Sequence, residues 1–292
     1  MKLPFLSARR LSAASLGLLA LAAAPAARAE LIYGVTNVAT PVLVSFDSNA
    51  PATVTTIGAT VAGLRSVDFR PSNGLLYGAT YAGATGTFQL YTLSLTTGAP
   101  TAVGAAIILP NFQNTLNLSI DVNPMADALR VVTDNGSSYR INLNTGVLVA
   151  QDTTFSPTGV YTSTAYGNNV RGATSTTLYA YNSTTNTIGV VAPPNDGVFT
   201  PRAAGTGITA PETVVAFDVS GLTGTGYLAT GVNAAVVDNL YTVNLTTGTA
   251  ALVGTTGQNL LDISVVPEPG TWAMLTVGAV TAGAGVLRRR RA

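Results

Sequence analysis

One segment written twice constrains this chain more than any other feature. YTLSLTTGAPTAVG at residues 91–104 returns as YTVNLTTGTAALVG at residues 241–254, and between them YRINLNTGVLVA begins at Tyr139. A second element recurs as SVDFRPSNGLLYGAT from Ser66, SIDVNPMADALRVVT from Ser119 and AFDVSGLTGTGYLAT from Ala216. Repetition at a roughly fixed spacing implies stacked copies of one small unit, each unable to bury its apolar face alone.

The unit reads as strands. Apolar runs of four to seven residues, rich in Val, Leu, Ile, Tyr and Thr, are punctuated by NG, TTG and Pro turns, and residues 30–266 show no convincing helical period. Four strands make a unit, as in an inner strand at 65–69, a second at 75–80, a third at 89–95 and an outer one at 101–105. Units start near Leu64, Leu118, Ser163 and Val214. The N-terminal segment supplies LIYGVT, VLVSFDS and ATVTTIG as second, third and outer strands, with no inner strand before them. That strand lies at the far end, as LLDISVV at 260–266. Pairing the two ends in one blade closes a ring and removes its sheet edges. The expected fold is all-β, a five-bladed β-propeller of about 47 residues per blade closed by its N- and C-terminal strands, with a C-terminal transmembrane helix after it. Six blades would require splitting the stretch 193–211.

Composition limits the chemistry. The 292 residues contain no Cys and no His, and the only Lys is Lys2. No Ser-His-Asp or Cys-His machinery can form, and residues 30–266 have no amine for a Schiff base or a Walker-type loop. The formal charge of +1 conceals a split: basic flanks, and a middle with six Arg against twelve acids. Such an acidic middle without Lys gives no footprint for nucleic acid.

The ends read as addresses. Residues 1–29 combine a basic start, an apolar run at 11–24 and Ala27-Arg28-Ala29, a signal peptide with a small-x-small pattern cut after Ala29. At the other end Pro267, Glu268 and Pro269 precede an uncharged run at 271–287 and then Arg288, Arg289, Arg290 and Arg291. Seventeen helical residues reach about 26 Å, near the short limit for a membrane span, and the Arg cluster stays cytoplasmic. Residues 30–266 are therefore expected outside the inner membrane, transiently anchored there.

This tail resembles the PEP-CTERM sorting signal of Gram-negative bacteria. The resemblance implies processing by an exosortase, with Pro267, Glu268 and Pro269 as recognition residues, and a final place at the cell surface or beyond, where such proteins accompany exopolysaccharide and biofilm. The inner-strand pattern of small residue, apolar, Asp, apolar, followed by a turn and LY, resembles YWTD and NHL-like propellers. It resembles more closely the uncharacterised propeller-like domains of bacterial surface proteins.

Asp68, Asp121, Asp218 and Asp262 are expected at equivalent inner-strand positions, with Ala165 in the odd blade. A residue repeated in nearly every blade serves the blade, here by capping the turn to the second strand; a ring of channel carboxylates binding Ca²⁺ is the alternative. Recurrent tyrosines read as packing, and residues 192–202 (APPNDGVFTPR) as the best place for a variable binding loop. No catalytic residue, metal site or cofactor is expected. The expected function is a structural or binding module of the envelope or exopolysaccharide matrix, against a carbohydrate-active hydrolase using channel carboxylates, or a Ca²⁺-stabilised adhesin.

Overall fold

Twenty strands and no helix make up the described residues of the computed structural model, which are 29–112, 117–202, 205–209, 211, 214–231 and 237–267. β1 (Leu31–Thr36), β2 (Val42–Asp47) and β3 (Ala50–Ala59) open the chain. The second blade is β4 (Leu64–Arg70), β5 (Leu75–Ala82), β6 (Thr87–Leu93) and β7 (Pro100–Ile108). The third is β8 (Leu118–Asn123), β9 (Ala128–Thr133), β10 (Ser138–Ile141) and β11 (Leu148–Asp152). The fourth is β12 (Tyr161–Tyr166), β13 (Leu178–Asn182), β14 (Thr187–Val191) and β15 (Phe199–Pro201), and the fifth β16 (Ala216–Val219), β17 (Gly226–Thr230), β18 (Asn239–Val243) and β19 (Ala250–Thr255). β20 (Leu260–Val265) then returns to pair antiparallel with β1, giving five four-stranded sheets.

The inner strands touch in order around the ring, β20 on β4, β4 on β8, β8 on β12, β12 on β16 and β16 on β20. The fold is a five-bladed β-propeller closed by its two terminal strands. The described residues of the stretch 193–211 make no sixth blade; they contribute β15, which pairs with β14. The expected signal peptide, with Ala27, and the expected span, with Glu268, Pro269 and the four terminal Arg, lie outside the described residues. No described helix is long and apolar enough to cross a membrane.

The core is divided among the blade interfaces. Phe88, Leu90, Ile120 and Tyr139 fill the seam between second and third blades, Val132, Tyr161, Tyr166 and Phe199 the next, and Tyr181, Phe217 and Tyr241 the one after. Ile32, Phe46 and Leu240 join the fifth blade to the first, and Leu43, Val67 and Phe69 the first to the second. Both faces of a blade are therefore apolar, which is why so many strands read as continuous hydrophobic runs.

The repeated TTG motif holds these seams at a fixed spacing. Ser94, Asn142 and Asn244 each accept, on the side chain, two backbone N–H groups of the turn that follows, and the chain then needs a left-handed residue to re-enter the sheet. Gly98 (φ 74°), Gly146 (φ 69°) and Gly248 (φ 85°) supply it. The first two also lie against a neighbouring outer strand. A Cβ on Gly98 would fall 2.5 Å from the Gly58 carbonyl oxygen, and one on Gly146 would fall 2.3 Å from that of Val103. The reciprocal positions are equally tight: a Cβ on Gly58 would sit 2.1 Å from the Thr97 carbonyl oxygen.

Gly58→Ala therefore separates the first and second blades. The expected cost is about 1–3 kcal/mol, as for an overpacked core, read as a drop of about 2–4 °C per kcal/mol in a thermal melt. Gly63→Ala is a useful contrast, because it meets no atom within 4 Å and carries only the strain of φ 79°. Removing β20 should abolish cooperative unfolding of the entire ring, since β1 would lose its inner partner and β4 and β16 their neighbour; an unchanged melt would refute closure.

Candidate functional site

The four aspartates of the repeat lie on inner strands and are buried, Asp262 being the most exposed at 6%. Asp68, Asp121 and Asp218 occupy one level, opposite Tyr77, Arg130 and Tyr227 on the second strands. Asp262 does not share it. Its partner on β1 is Val35, and Ser264 stands opposite Tyr33, at the level of the other three aspartates. Asp262 belongs with Ser66 and Ser119, two residues earlier along the strand.

Nor do these side chains cap turns. Asp68 Oδ2 accepts the N–H of Val122 on the next inner strand (2.7 Å), Asp121 Oδ1 that of Tyr166 (2.9 Å), Asp218 Oδ2 that of Val265 (2.6 Å) and Asp262 Oδ2 that of Val67 (3.0 Å). Serines do the same: Ser66 Oγ accepts from Ile120, Ser119 Oγ from Thr164 and Ser264 Oγ from Phe69. Ser66 Oγ also donates to Asp262, and Ser264 Oγ to Asp68 (2.8 Å). Asp68, Asp218 and Asp262 further accept the N–H of the residue that follows each of them. Each acid thus ties its own strand to a neighbouring one.

Oxygens of Asp68, Asp121 and Asp218 lie within 4.8 Å of one another. Burial pushes all four carboxyls up, with charge from the other aspartates adding most at Asp68 and Asp121; Asp218 and Asp262 are raised to about 7. Like charges this close in a dry site favour sharing protons, since the acids cannot all ionise cheaply. The same three could offer oxygens to a hard cation, but most of their oxygens already accept backbone N–H groups.

A second site lies between the third and fourth blades, around a cavity of about 370 Å³ lined by Asn123, Met125, Arg130, Arg140, Tyr166 and the loop 193–196. Arg130 on β9 is 2% exposed and stands where the first, second, fourth and fifth blades place tyrosine. Its Nε donates to Tyr166 (2.8 Å), Nη1 to Ser138 (2.6 Å) and Asp152 (3.0 Å), and Nη2 to Asn195 (2.7 Å). Arg140 on β10 donates to the same Asp152 through Nε and Nη2, leaving Nη1 outside the pair. Of residues 192–202, expected as a binding loop, 193–196 thus form one wall. Arg130 was missed as a site residue, although aligning DALRVVT with GLLYGAT places it in the tyrosine column.

The raised carboxyls set a pH dependence. An unfolded Asp releases its proton near 3.8, whereas Asp218 and Asp262 hold theirs to about 7 in the ring. Between those values the native state binds more protons than the unfolded one, so stability falls as pH rises. The melting temperature should therefore drop from about pH 4 to pH 7, and Asp218→Asn should flatten that slope. A divalent cation at the three acids would reverse it, giving stability that grows with pH and disappears on chelation.

A family model for a domain of unknown function, DUF4394, matches residues 42–264, and no curated protein matches the chain. A structural-genomics protein of unknown function from Bacteroides thetaiotaomicron is similar in structure, with a TM-score of 0.49 at 14% identity over 82% of this chain and 68% of that one. A Lactobacillus plantarum protein (TM-score 0.45, 12% identity, 82% of this chain and 99% of that) and TolB from Acinetobacter baumannii (TM-score 0.45, 11% identity, 82% and 67%) are also similar. The matched span runs from β2, the third strand of the first blade, to Ser264 in the strand that closes it, and so takes in every blade; the chain belongs to the DUF4394 family.

Proposed function

We propose that this chain is an exported, surface-sorted propeller that serves as a structural or binding module of the cell envelope or exopolysaccharide matrix, and that it performs no catalysis. One observation carries the non-catalytic reading. A glycosidase needs two carboxylates open to sugar and water, whereas each repeated aspartate here is at most 6% exposed and accepts backbone N–H groups from its neighbours. Glu30 is engaged as well, accepting Ser220 Oγ from the fifth blade.

The export reading rests on the ends. Glu30, the residue that a cut after Ala29 makes the new N-terminus, donates its N–H to Ser48 Oγ (3.0 Å), and its carbonyl accepts from Ser48 N (2.8 Å). The proposed cut therefore falls directly beside a residue fixed in the ring. At the other end Val266 N donates to Leu31 O (3.0 Å), so Pro267 leaves the ring beside the N-terminus. The proposed partners are an exosortase acting at Pro267, Glu268 and Pro269, and envelope or matrix polymer afterwards.

In a host with an exosortase, the full-length protein should reach the cell surface, and a variant with Pro267, Glu268 and Pro269 all changed to Ala should stay in the inner-membrane fraction. A glycan array probed with the full-length chain should give binding without release of cleaved sugar. Equal localisation of the two forms would refute sorting by the tail, and time-dependent cleavage of an arrayed glycan would favour the hydrolase.

A further inference from the structure

We propose that the cavity between the third and fourth blades binds a sugar acid, with the ligand's carboxylate on the Arg130–Arg140 wall and its hydroxyls toward Asn195 and Asp196. This deepens the binding-module reading and rests on it for biological context, although the chemistry of the cavity stands on its own.

The volume comes first. At about 370 Å³ the cavity falls within the roughly 300–1,000 Å³ of small-molecule sites. Charge comes next. Asp152, its side chain 5% exposed, is the single carboxylate paired with two guanidinium groups, Arg130 at 3.0 Å and Arg140 at 2.9 Å. The wall therefore carries one more guanidinium than it has paired acid, with Arg130 buried and Arg140 open to solvent at 36% side-chain exposure. Asp196 also lines the cavity and is exposed; it lowers the net charge but pairs with neither guanidinium, whose partner is Asp152.

The donors left on this wall suit a carboxylate. Arg130 commits four of its five N–H groups, and Arg140 pairs with Asp152 without using Nη1. Guanidinium groups recognise carboxylates through paired N–H donors. The loop beside it has a different chemistry: Asn195, whose Oδ1 is taken by Arg130, keeps its amide N–H groups, and Asp196 carries a carboxylate, which accepts hydroxyl protons and would repel a second acid. Pro193, Pro194 and Met125 add apolar surface for the C–H face of a ring. A hydroxylated acid with one carboxylate, the pattern of a hexuronate, meets all of these features. A neutral hexose leaves the guanidinium wall without its charge partner, and a dicarboxylate meets Asp196.

The geometry is built. Arg130 is fixed by Tyr166, Ser138, Asp152 and Asn195, which come from both blades, so its one remaining N–H is held in place before any ligand arrives.

Met125 gives a local probe, since it is the only methionine among the described residues and it lines the cavity. In the full-length chain labelled at methionine methyls, sodium glucuronate should shift the Met125 signal saturably. Glucose should need at least tenfold more, and added salt should weaken the glucuronate response. Arg140→Gln should weaken glucuronate at least tenfold, and Asp196→Asn several-fold, with melting temperatures near that of the parent. If Arg140→Gln fails to fold, Asp196→Asn and the glucuronate-to-glucose ratio decide. A silent Met125, equal responses to the two sugars, or an Arg140→Gln variant that binds like the parent would overturn the site. Array binding with a silent Met125 would reject this pocket and leave the binding module standing. A Met125 response with no array binding would keep the pocket and reject the matrix role.

Discussion

An inner strand of a propeller blade has a sheet partner on one side only. On the other side its N–H groups face the ring axis, buried, with no neighbouring strand in register to take them. An unmade backbone hydrogen bond in such a place costs about 1–3 kcal/mol. This chain meets the constraint with side chains: on four of the five inner strands a short acceptor reaches the free N–H of the next one. Ser66 and Asp68 serve Ile120 and Val122; Ser119 and Asp121 serve Thr164 and Tyr166; Asp262 and Ser264 serve Val67 and Phe69. The blades are thus joined at the axis by hydrogen bonds and farther out by aromatic and aliphatic side chains. Burying acids to do this raises their pKa, and a protonated carboxyl keeps one strong acceptor, its carbonyl oxygen, so one of the two bonds that Asp68, Asp218 and Asp262 each accept from backbone N–H groups survives the loss of charge at full strength.

One joint departs from the pattern. Where the other blades carry Asp or Ser, β12 has Ala165, and the fourth blade reaches the fifth at the axis through Ser163 Oγ, which donates to Phe217 O at 3.3 Å. This seam is tied farther out instead, by Arg202 Nε donating to Leu245 O and Ala250 N to Thr206 O. The weaker inner pattern of STAYGNN is therefore a real difference in how the fourth blade is held, and its short outer strand, β15, follows from the same divergence.

The blades, their number and the closing strand were legible because they rest on local periodicity and on turn residues that repeat. TTG signals a left-handed glycine after a capped turn in whatever blade it occurs. The register of the last strand was harder. LLDISVV offers an Asp, and matching by that letter sets it beside Asp68; only the pairing with β1, which puts Ser264 opposite Tyr33, shows the two-residue offset. Turn capping was also expected of the aspartates, from the habit of Asp in short loops, but partners across a ring belong to tertiary closure and leave no local trace. The pocket was half legible: residues 192–202 stood out as irregular, yet nothing in the sequence says that they fold over Arg130, more than sixty residues earlier.

Repetition separates the two kinds of polar residue in this molecule. Ser and Asp on the inner strands recur because every blade must solve the same backbone problem, and their burial has a structural cause that is complete without a ligand. Arg130 does not recur. Four blades place tyrosine in that column, so the fold has a cheaper solution than a buried guanidinium, whose desolvation its ion pair only partly offsets. Maintaining Arg130 further requires Ser138, Asp152 and Asn195 around it, and then a second arginine shares the same acid. A second buried arginine, Arg70, makes a comparable cluster with Asp127, Tyr77 and Asn144, but there one acid faces one guanidinium. At Arg130 two guanidinium groups share one acid, and the proposed ligand would take up the charge left over, at a place where the sequence stops repeating.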